Sequence, residues 1–194
     1  MKFLSGWGMI LPLVLLVLTA CQKETPTDPS ADNLPDSTLY TIRRGNHFCE
    51  QSRVKVISTS NMSFTVKFNS SAVYTTVDPA NQTDINKLWG FSEGNDHQFN
   101  SARIGWAYHT GALRLYAYTY DKGVRSHREI TPVVLNTVIP CSIKLNGATY
   151  EISVNGITVT MPRGLSSTIA NGYQLYPFFG GDETAPQDIT LHIQ

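Results

Sequence analysis

The stretch Cys141-Ser-Ile-Lys-Leu-Asn-Gly-Ala-Thr-Tyr-Glu-Ile-Ser-Val-Asn-Gly-Ile-Thr-Val-Thr-Met161 decides the fold class, because two turn signals divide it into short runs of alternating apolar and polar residues. Asn146-Gly147 and Asn155-Gly156 favour two-residue hairpin turns, in which both central residues need positive φ. Apolar side chains then collect on one face, as in antiparallel strands that cover a core on one side. The stretch therefore predicts a meander of three strands, in which the first turn pairs Ile143 with Tyr150.

The same alternation continues along the chain from Tyr40 onward, and no segment has a convincing 3.6-residue period. Further turn signals recur at short intervals, among them Thr110-Gly111, Lys122-Gly123 and Gly180-Gly181. Many short strands between such turns are typical of a sandwich or a barrel. We therefore predict that residues 37–194 form an all-β domain, a two-sheet antiparallel β-sandwich.

Two neighbouring hairpins in the middle of the chain have faces of different composition. A two-residue turn at Thr110-Gly111 pairs Trp106 with Leu115, which places one apolar face on the core. With a second turn at Lys122-Gly123, the opposite face carries polar and aromatic side chains: Arg103, His109, Arg114, Tyr116, Tyr118, Tyr120, Arg125 and His127. Gly105 and Ala107 lie opposite the largest of these side chains, so we expect a shallow trough over them. A one-residue slip at the second turn would instead place Arg125 and His127 on the core face.

This second face is a candidate ligand-binding surface. Flat aromatic rings pack against the C–H faces of sugars, and arginine or histidine donates hydrogen bonds to hydroxyl and carboxylate groups. The alternative is that loops or an N-terminal strand cover the tyrosines, which would make them packing residues. The exposure of Tyr116 and Tyr118 distinguishes the two interpretations.

Five segments of the chain resemble the concanavalin A-like lectin and glucanase superfamily. They are Lys87-Leu-Trp-Gly-Phe-Ser92, Asn100-Ser-Ala-Arg-Ile-Gly-Trp106, Leu113-Arg-Leu-Tyr-Ala-Tyr118, Tyr150-Glu-Ile-Ser-Val-Asn-Gly156 and Leu175-Tyr-Pro-Phe-Phe-Gly-Gly-Asp-Glu-Thr-Ala-Pro186. The resemblance implies a jelly roll of two antiparallel sheets, with ligands held on the concave sheet. The sequence has neither the Glu-x-Asp-x-x-Glu strand of the hydrolase members nor the Arg-x-Glu-Leu and Gln-x-His strands of the alginate lyases. These differences favour binding over catalysis.

The beginning of the chain resembles the leader of a bacterial lipoprotein. A single early positive charge precedes an apolar run that is shorter than the roughly 20 residues needed to span a bilayer. Leu18-Thr19-Ala20-Cys21 looks like a lipobox. We therefore predict a signal peptide at 1–20, lipidation of Cys21, and a proline-rich disordered tether at 21–36. Gln22 after the cysteine favours the outer membrane, with the lipid as the domain's contact with the bilayer.

The balance of charged residues narrows the class of partner that we expect. The 15 lysines and arginines balance 15 aspartates and glutamates, so the net charge at pH 7 is zero. Nucleic acid is not expected, because a basic patch supplies most of the affinity for it.

Besides Cys21, the chain has Cys49 and Cys141. These two either form a disulfide in an oxidising compartment or pack as buried thiols.

Two acidic segments are candidate sites of other kinds. Asp182 and Glu183 follow two glycines and, together with Asp188, could bind calcium through oxygen ligands. The alternative is a tight exposed turn. The polar loop at 92–98, which contains His97, either acts at the rim of the sandwich or is simply solvated. No other cofactor is expected, since the sequence contains no zinc, phosphate-binding or serine-hydrolase motif.

Together these observations predict a surface lipoprotein that binds an extracellular glycan or polysaccharide without cleaving it. The first alternative is a polysaccharide lyase or glycoside hydrolase that uses the same sheet face. A lyase could use tyrosine as acid, histidine as base and arginine to neutralise a uronate, and the predicted face has all three residue types. The second alternative is an adhesion or assembly protein that contacts other proteins through a sheet edge or loop rim.

Overall fold

The computed structural model describes residues 1–2 and 36–194. Most of the predicted signal peptide at 1–20, the lipidation site Cys21 and the tether as far as residue 35 lie outside the described residues. None of the helical segments among the described residues is long and apolar enough to cross a membrane.

Twelve strands account for most of the described chain. They are β1 (Thr38–Ile42), β2 (Val56–Thr59), β3 (Asn61–Phe68), β4 (Asn86–Ser92), β5 (Ser101–His109), β6 (Ala112–Asp121), β7 (Val124–Val133), β8 (Ile139–Asn146), β9 (Thr149–Val154), β10 (Ile157–Pro162), β11 (Ala170–Leu175) and β12 (Ile189–Ile193). Two short 3-10 helices, Ser70–Ala72 and Pro79–Thr83, lie in the connection between β3 and β4.

The strands form two six-stranded antiparallel sheets. The first sheet has the order β1-β12-β3-β8-β9-β10, and the second has the order β2-β11-β4-β5-β6-β7. Strands that are far apart in sequence therefore become neighbours, as β11 does with β2 and β4. The predicted all-β, two-sheet antiparallel sandwich is confirmed.

The register of the central hairpins agrees with the sequence prediction. Trp106 pairs with Leu115, and Tyr118 pairs with His127 across the next turn. The prediction that Ile143 pairs with Tyr150 was wrong, because Leu145 is the partner of Tyr150. The loop is Gly147-Ala148, one residue later than predicted, and this moves the pairing by two positions. A shift of two preserves the face of every side chain, so the predicted core face is unchanged.

The space between the sheets is filled by large apolar side chains. Trp106, Tyr150, Phe68 and Phe91 are all fully buried there. Burial of each such side chain contributes about 1.5–3 kcal/mol. A second, smaller buried cluster lies apart from this core and consists of Ile85, Ala107, Tyr116 and Tyr118, with Tyr120 packed against it.

A buried ion pair connects the two sheets at one end. The Glu93 carboxylate, directly after β4, accepts hydrogen bonds from Arg163 Nε and Nη2, both at 2.7 Å. The Tyr150 hydroxyl of β9 donates to the same carboxylate. Arg163 also donates from Nη1 to the carbonyls of Gly147 and Ser167. Glu93 is therefore a structural group and not a solvated member of the rim loop.

The two cysteines of the domain are not joined to each other. Cys49 and Cys141 are both buried free thiols. The Cys49 sulfur lies 3.1 Å from the Ser52 hydroxyl, and burial raises the pKa of both thiols. Of the two arrangements left open by the sequence, the structure has the pair of packed thiols.

Candidate functional site

A groove of about 660 Å³ crosses the face of the second sheet that carries the predicted polar residues. Side chains of β4, β5, β6, β7 and β11 line its floor, and loops supply its rim. The lining includes four of the predicted site residues: Arg103, Tyr118, Tyr120 and Arg125. A volume of this size is within the usual range for ligand sites.

Strand register explains why these side chains share one face. Arg103 on β5 lies opposite Tyr118 on β6, and Tyr120 lies opposite Arg125 on β7. Directly paired residues project to the same side of an antiparallel sheet, and residues two apart along a strand do the same. On β4, Lys87 pairs with Gly105 and therefore joins the same face.

Arg103 is the most deeply buried cation of the groove. Its exposed fraction is 6 %, and its Nε has no hydrogen-bond partner among the described residues. Desolvation by burial lowers the pKa of Arg103 to about 10, so the side chain stays charged at neutral pH. Its guanidinium carbon lies 5.9 Å from the centroid of the Tyr118 ring. A buried charge without a paired partner is costly unless something else solvates it.

Lys87 adds a second cation next to Arg103. Its ammonium lies 5.0 Å from the Tyr118 ring centroid, on the same ring that Arg103 contacts. Burial, and then the charges of Arg103 and Arg125, lower the pKa of Lys87 to about 8. Asp182 is the one carboxylate among the described residues that line the groove. The site is therefore electropositive.

A histidine and a tyrosine form a hydrogen-bonded pair on the β11 side of the groove. His97 Nδ1 lies 2.8 Å from the hydroxyl of Tyr173, which belongs to β11. Burial, and then the charge of Arg103, lower the pKa of His97 below its usual range. The imidazole of His97 is therefore mostly neutral at pH 7, and a neutral imidazole can accept a proton.

The remaining predicted residues lie outside the groove. His109 Nε2 is hydrogen-bonded to the Tyr116 hydroxyl at 2.7 Å, towards the opposite end of the same face. Arg114 forms an ion pair with Glu129 at 2.7 Å. His127 is exposed on β7, the edge strand of the sheet.

The expected trough over Gly105 and Ala107 is filled. The Ile85 side chain lies over Gly105 so closely that an added Cβ would be 2.4 Å from its Cγ2 atom. Tyr116 and Tyr118 are on the predicted face, but their exposed fractions are only 8 % and 4 %. Burial, and then the charge of Glu129, raise the pKa of Tyr116 to about 12. The more accessible rings of the groove are Tyr120 and Tyr173, which are half-buried.

The acidic residues after Gly180-Gly181 have separate surroundings. Glu183 accepts hydrogen bonds from the backbone N–H groups of Val77 and Asp78 at 2.8 and 2.7 Å. Asp188 accepts from the Arg43 guanidinium and from the Arg44 backbone, both at 2.8 Å. Asp182 lines the groove. In the part of the chain that is described, no three histidine, cysteine or acidic residues are grouped so that they could hold a metal ion.

Comparison with known proteins gives a fold and no family assignment. No family model matches the chain, and no curated protein matches it. Among solved structures, it is similar to the catalytic domain of an endo-1,3-beta-glucanase (laminarinase) from Thermotoga petrophila RKU-1. The identity is 13 %, the TM-score is 0.51, and the match covers 81 % of this chain and 74 % of that chain.

Two further structures are similar at lower TM-scores. A family 7 alginate lyase matches with 10 % identity and a TM-score of 0.48, over 81 % of this chain and 76 % of that one. The carbohydrate-binding module CBM66 from Bacillus subtilis matches with 11 % identity and a TM-score of 0.39, over 71 % and 74 %. The chain has the concanavalin A-like jelly-roll fold, as its sequence resemblance predicted.

Proposed function

We propose that this chain is a glycan-binding protein whose groove holds an acidic polysaccharide without cleaving it. Lipid on Cys21 would hold the domain at the outer membrane, where such a polymer is accessible. The laminarinase that shares this fold acts on a polysaccharide, and the cations that line the groove favour an acidic one.

The observation that carries the proposal is the buried Arg103 guanidinium, whose Nε has no hydrogen-bond partner among the described residues. A carboxylate of a sugar residue would accept hydrogen bonds from it and offset the cost of burying its charge. The charges of Arg103 and Arg125 lower the pKa of Lys87, and an anion would relieve that repulsion. A neutral glycan offers hydroxyl groups but no charge, so it would leave the repulsion in place.

Two tyrosine rings of the groove can pack against the C–H faces of a sugar. Tyr120 and Tyr173 are half-buried, so part of each ring is available to the C–H face of a sugar. Because they belong to β6 and β11, two strands separated by β4 and β5, they stand on opposite sides of Arg103. A polymer that crosses the sheet could contact both rings and place a carboxylate on Arg103 between them.

Binding to polysaccharides of different charge tests the proposal. The full chain should bind polygalacturonate or alginate in calorimetry and should bind neutral laminarin at least tenfold more weakly. Arg125→Gln should weaken binding of the acidic polymers roughly tenfold, which corresponds to the loss of one charge-assisted hydrogen bond. Arg128→Gln is the matched control, since Arg128 is also an exposed arginine of β7 but points to the other side of the strand.

Two results would contradict the proposal. One is equal binding of laminarin and the acidic polymers, because the cations would then contribute nothing. The other is equal loss of affinity in Arg125→Gln and Arg128→Gln, because general surface charge would then explain the binding. Circular dichroism of both variants checks that the fold is intact.

The His97–Tyr173 pair favours a second candidate function, that of a polysaccharide lyase. In β-elimination a base removes the proton next to the uronate carboxylate, a double bond forms, and an acid protonates the departing glycosidic oxygen. A neutral His97 could be the base, Tyr173 the acid, and Arg103 the group that neutralises the carboxylate. Absorbance of unsaturated uronate products tests this function, and His97→Ala should abolish those products if it is correct.

Glycoside hydrolysis is less well supported by the same groove. Most glycosidases use two carboxyl groups that flank the scissile bond. Among the described lining residues, Asp182 alone carries a carboxyl group. An assay for new reducing ends with laminarin should therefore give no product.

A further inference from the structure

The groove has an apolar corner next to its cations. We use the name apolar corner for Phe48, Val54, Pro177 and Phe178, which all line the groove. Phe48 is 67 % exposed and Val54 is 91 % exposed. Exposed apolar groups that are clustered at a concave site usually mark a contact with a ligand or partner.

Backbone pairing fixes the position of this corner. Phe178 donates its N–H to the Lys87 carbonyl at 2.9 Å and accepts from the Lys87 N–H at 2.8 Å. On its other side, Phe178 pairs with Phe48. Neighbouring strands are about 4.8 Å apart, so the two phenylalanines and Lys87 form one row across the groove face. An apolar contact and a charged contact are therefore within reach of a single sugar residue.

The shape of the corner suits a small apolar group better than a flat sugar ring. The Phe48 and Phe178 rings meet edge to face, with an interplanar angle of 82° and centroids 4.9 Å apart. The His47 ring stacks on Phe178 at 5.1 Å and covers one of its faces. Val54 contributes methyl groups rather than a ring. Two rings at this angle offer an edge and a face rather than one flat platform, which suits a methyl-sized substituent better than a sugar ring.

We propose that the groove recognises an O-acylated acidic polysaccharide, with a free carboxylate at Lys87 and Arg103 and a short acyl group, such as acetyl, in the apolar corner. This inference rests on the proposed function and names its ligand more closely. O-acetylation fits both halves of the site, because it adds a methyl group and leaves the carboxylate charged. Methyl esterification does not fit, because it adds a methyl group by removing the charge.

The test compares three forms of one polymer. Polygalacturonate, the same preparation chemically O-acetylated on its hydroxyl groups, and the same preparation methyl-esterified are titrated into the full chain. The O-acetylated form should bind about fourfold more tightly than the unmodified polymer, which is the value of one buried methyl-sized group. The methyl-esterified form should bind more weakly than either.

Two variants assign the preference to the apolar corner. Phe48→Ser should reduce the fourfold preference to less than twofold while the unmodified polymer still binds. Phe99→Ser is the matched control, since Phe99 is also an exposed phenylalanine, at 52 %, and does not line the groove. Val54→Ser provides a second test, because a side chain that is 91 % exposed can be replaced without disturbing the fold.

The outcomes separate this inference from the proposed function. Binding of unmodified and O-acetylated polymer with equal affinity would overturn the acyl preference and leave the acidic-polysaccharide proposal intact. A preference that persists in both Phe48→Ser and Val54→Ser would overturn the assignment to this corner. Failure of all three polymers to bind would overturn the proposed function and this inference with it.

Discussion

Replacement of Glu93 by alanine should destabilise the domain strongly. The exposed side-chain fractions of Arg163 and Glu93 are 0 % and 1 %, and their two hydrogen bonds are both 2.7 Å long. Without the carboxylate, the guanidinium keeps its bonds to backbone carbonyls but remains a buried charge without an anion. Removal of one partner from a buried pair typically costs about 3–5 kcal/mol. For a domain of this size, about 2–4 °C in Tm per kcal/mol gives a decrease of roughly 6–20 °C.

Thermal unfolding followed by circular dichroism measures this effect. The matched control is Glu50→Ala, which breaks the ion pair between Glu50 and Arg43, whose side chains are 46 % and 51 % exposed. Solvent screens that pair, so the Tm of the control should stay within the error of the measurement. Equal Tm values for Glu93→Ala and Glu50→Ala would refute the argument that the buried ion pair stabilises the packing of the two sheets.

Three further predictions concern the protonation of Lys87, calcium binding and the packing over Gly105. Binding of acidic polymers should weaken as the pH rises through about 8, because Lys87 then loses its proton, and Lys87→Arg should flatten this part of the pH profile. Calcium should leave the Tm unchanged within error, because Glu183 and Asp188 already accept hydrogen bonds from protein donors; a rise in Tm at millimolar calcium would contradict this. Gly105→Ala should cost about 1–3 kcal/mol in urea unfolding, because the new Cβ would lie 2.4 Å from Ile85, and an unchanged midpoint would show that Ile85 moves aside freely.

The fold and the central registers could be predicted because both depend on local rules. Alternation with period two decides which side chains face the core, and turn residues decide where each strand reverses. Thr110 and Lys122 have φ values of 53° and 49°, and each is followed by a glycine with positive φ. These two turns fix the register from β5 to β7. They therefore place Arg103, Tyr118 and Arg125 on one face from sequence alone.

The other half of the groove could not be predicted, because it depends on contacts between distant parts of the chain. Tyr173 and Phe178 reach the site only because β11 and the segment after it lie beside β4, more than 80 residues earlier in the sequence. Alternation assigns each side chain of a strand to one face of the sheet, but it does not say which strands become neighbours. The cover that Ile85 forms over Gly105 is missed for the same reason, since the side chain enters from the connection before β4. His97 was visible as a polar loop residue, but its tyrosine partner was not.

The loop after β4 links the stability of the fold to the geometry of the groove. Glu93 donates its N–H to the Asn100 carbonyl at 2.8 Å, and the His97 carbonyl accepts from the Ser101 hydroxyl at 2.6 Å. The ion pair of Glu93 with Arg163 anchors the start of this loop, and we therefore expect it to help hold His97 against Tyr173. Glu93→Ala should consequently weaken polysaccharide binding even at temperatures well below its lowered Tm, whereas Glu50→Ala should not. Unchanged affinity in folded Glu93→Ala would show that the loop holds His97 in place without the ion pair.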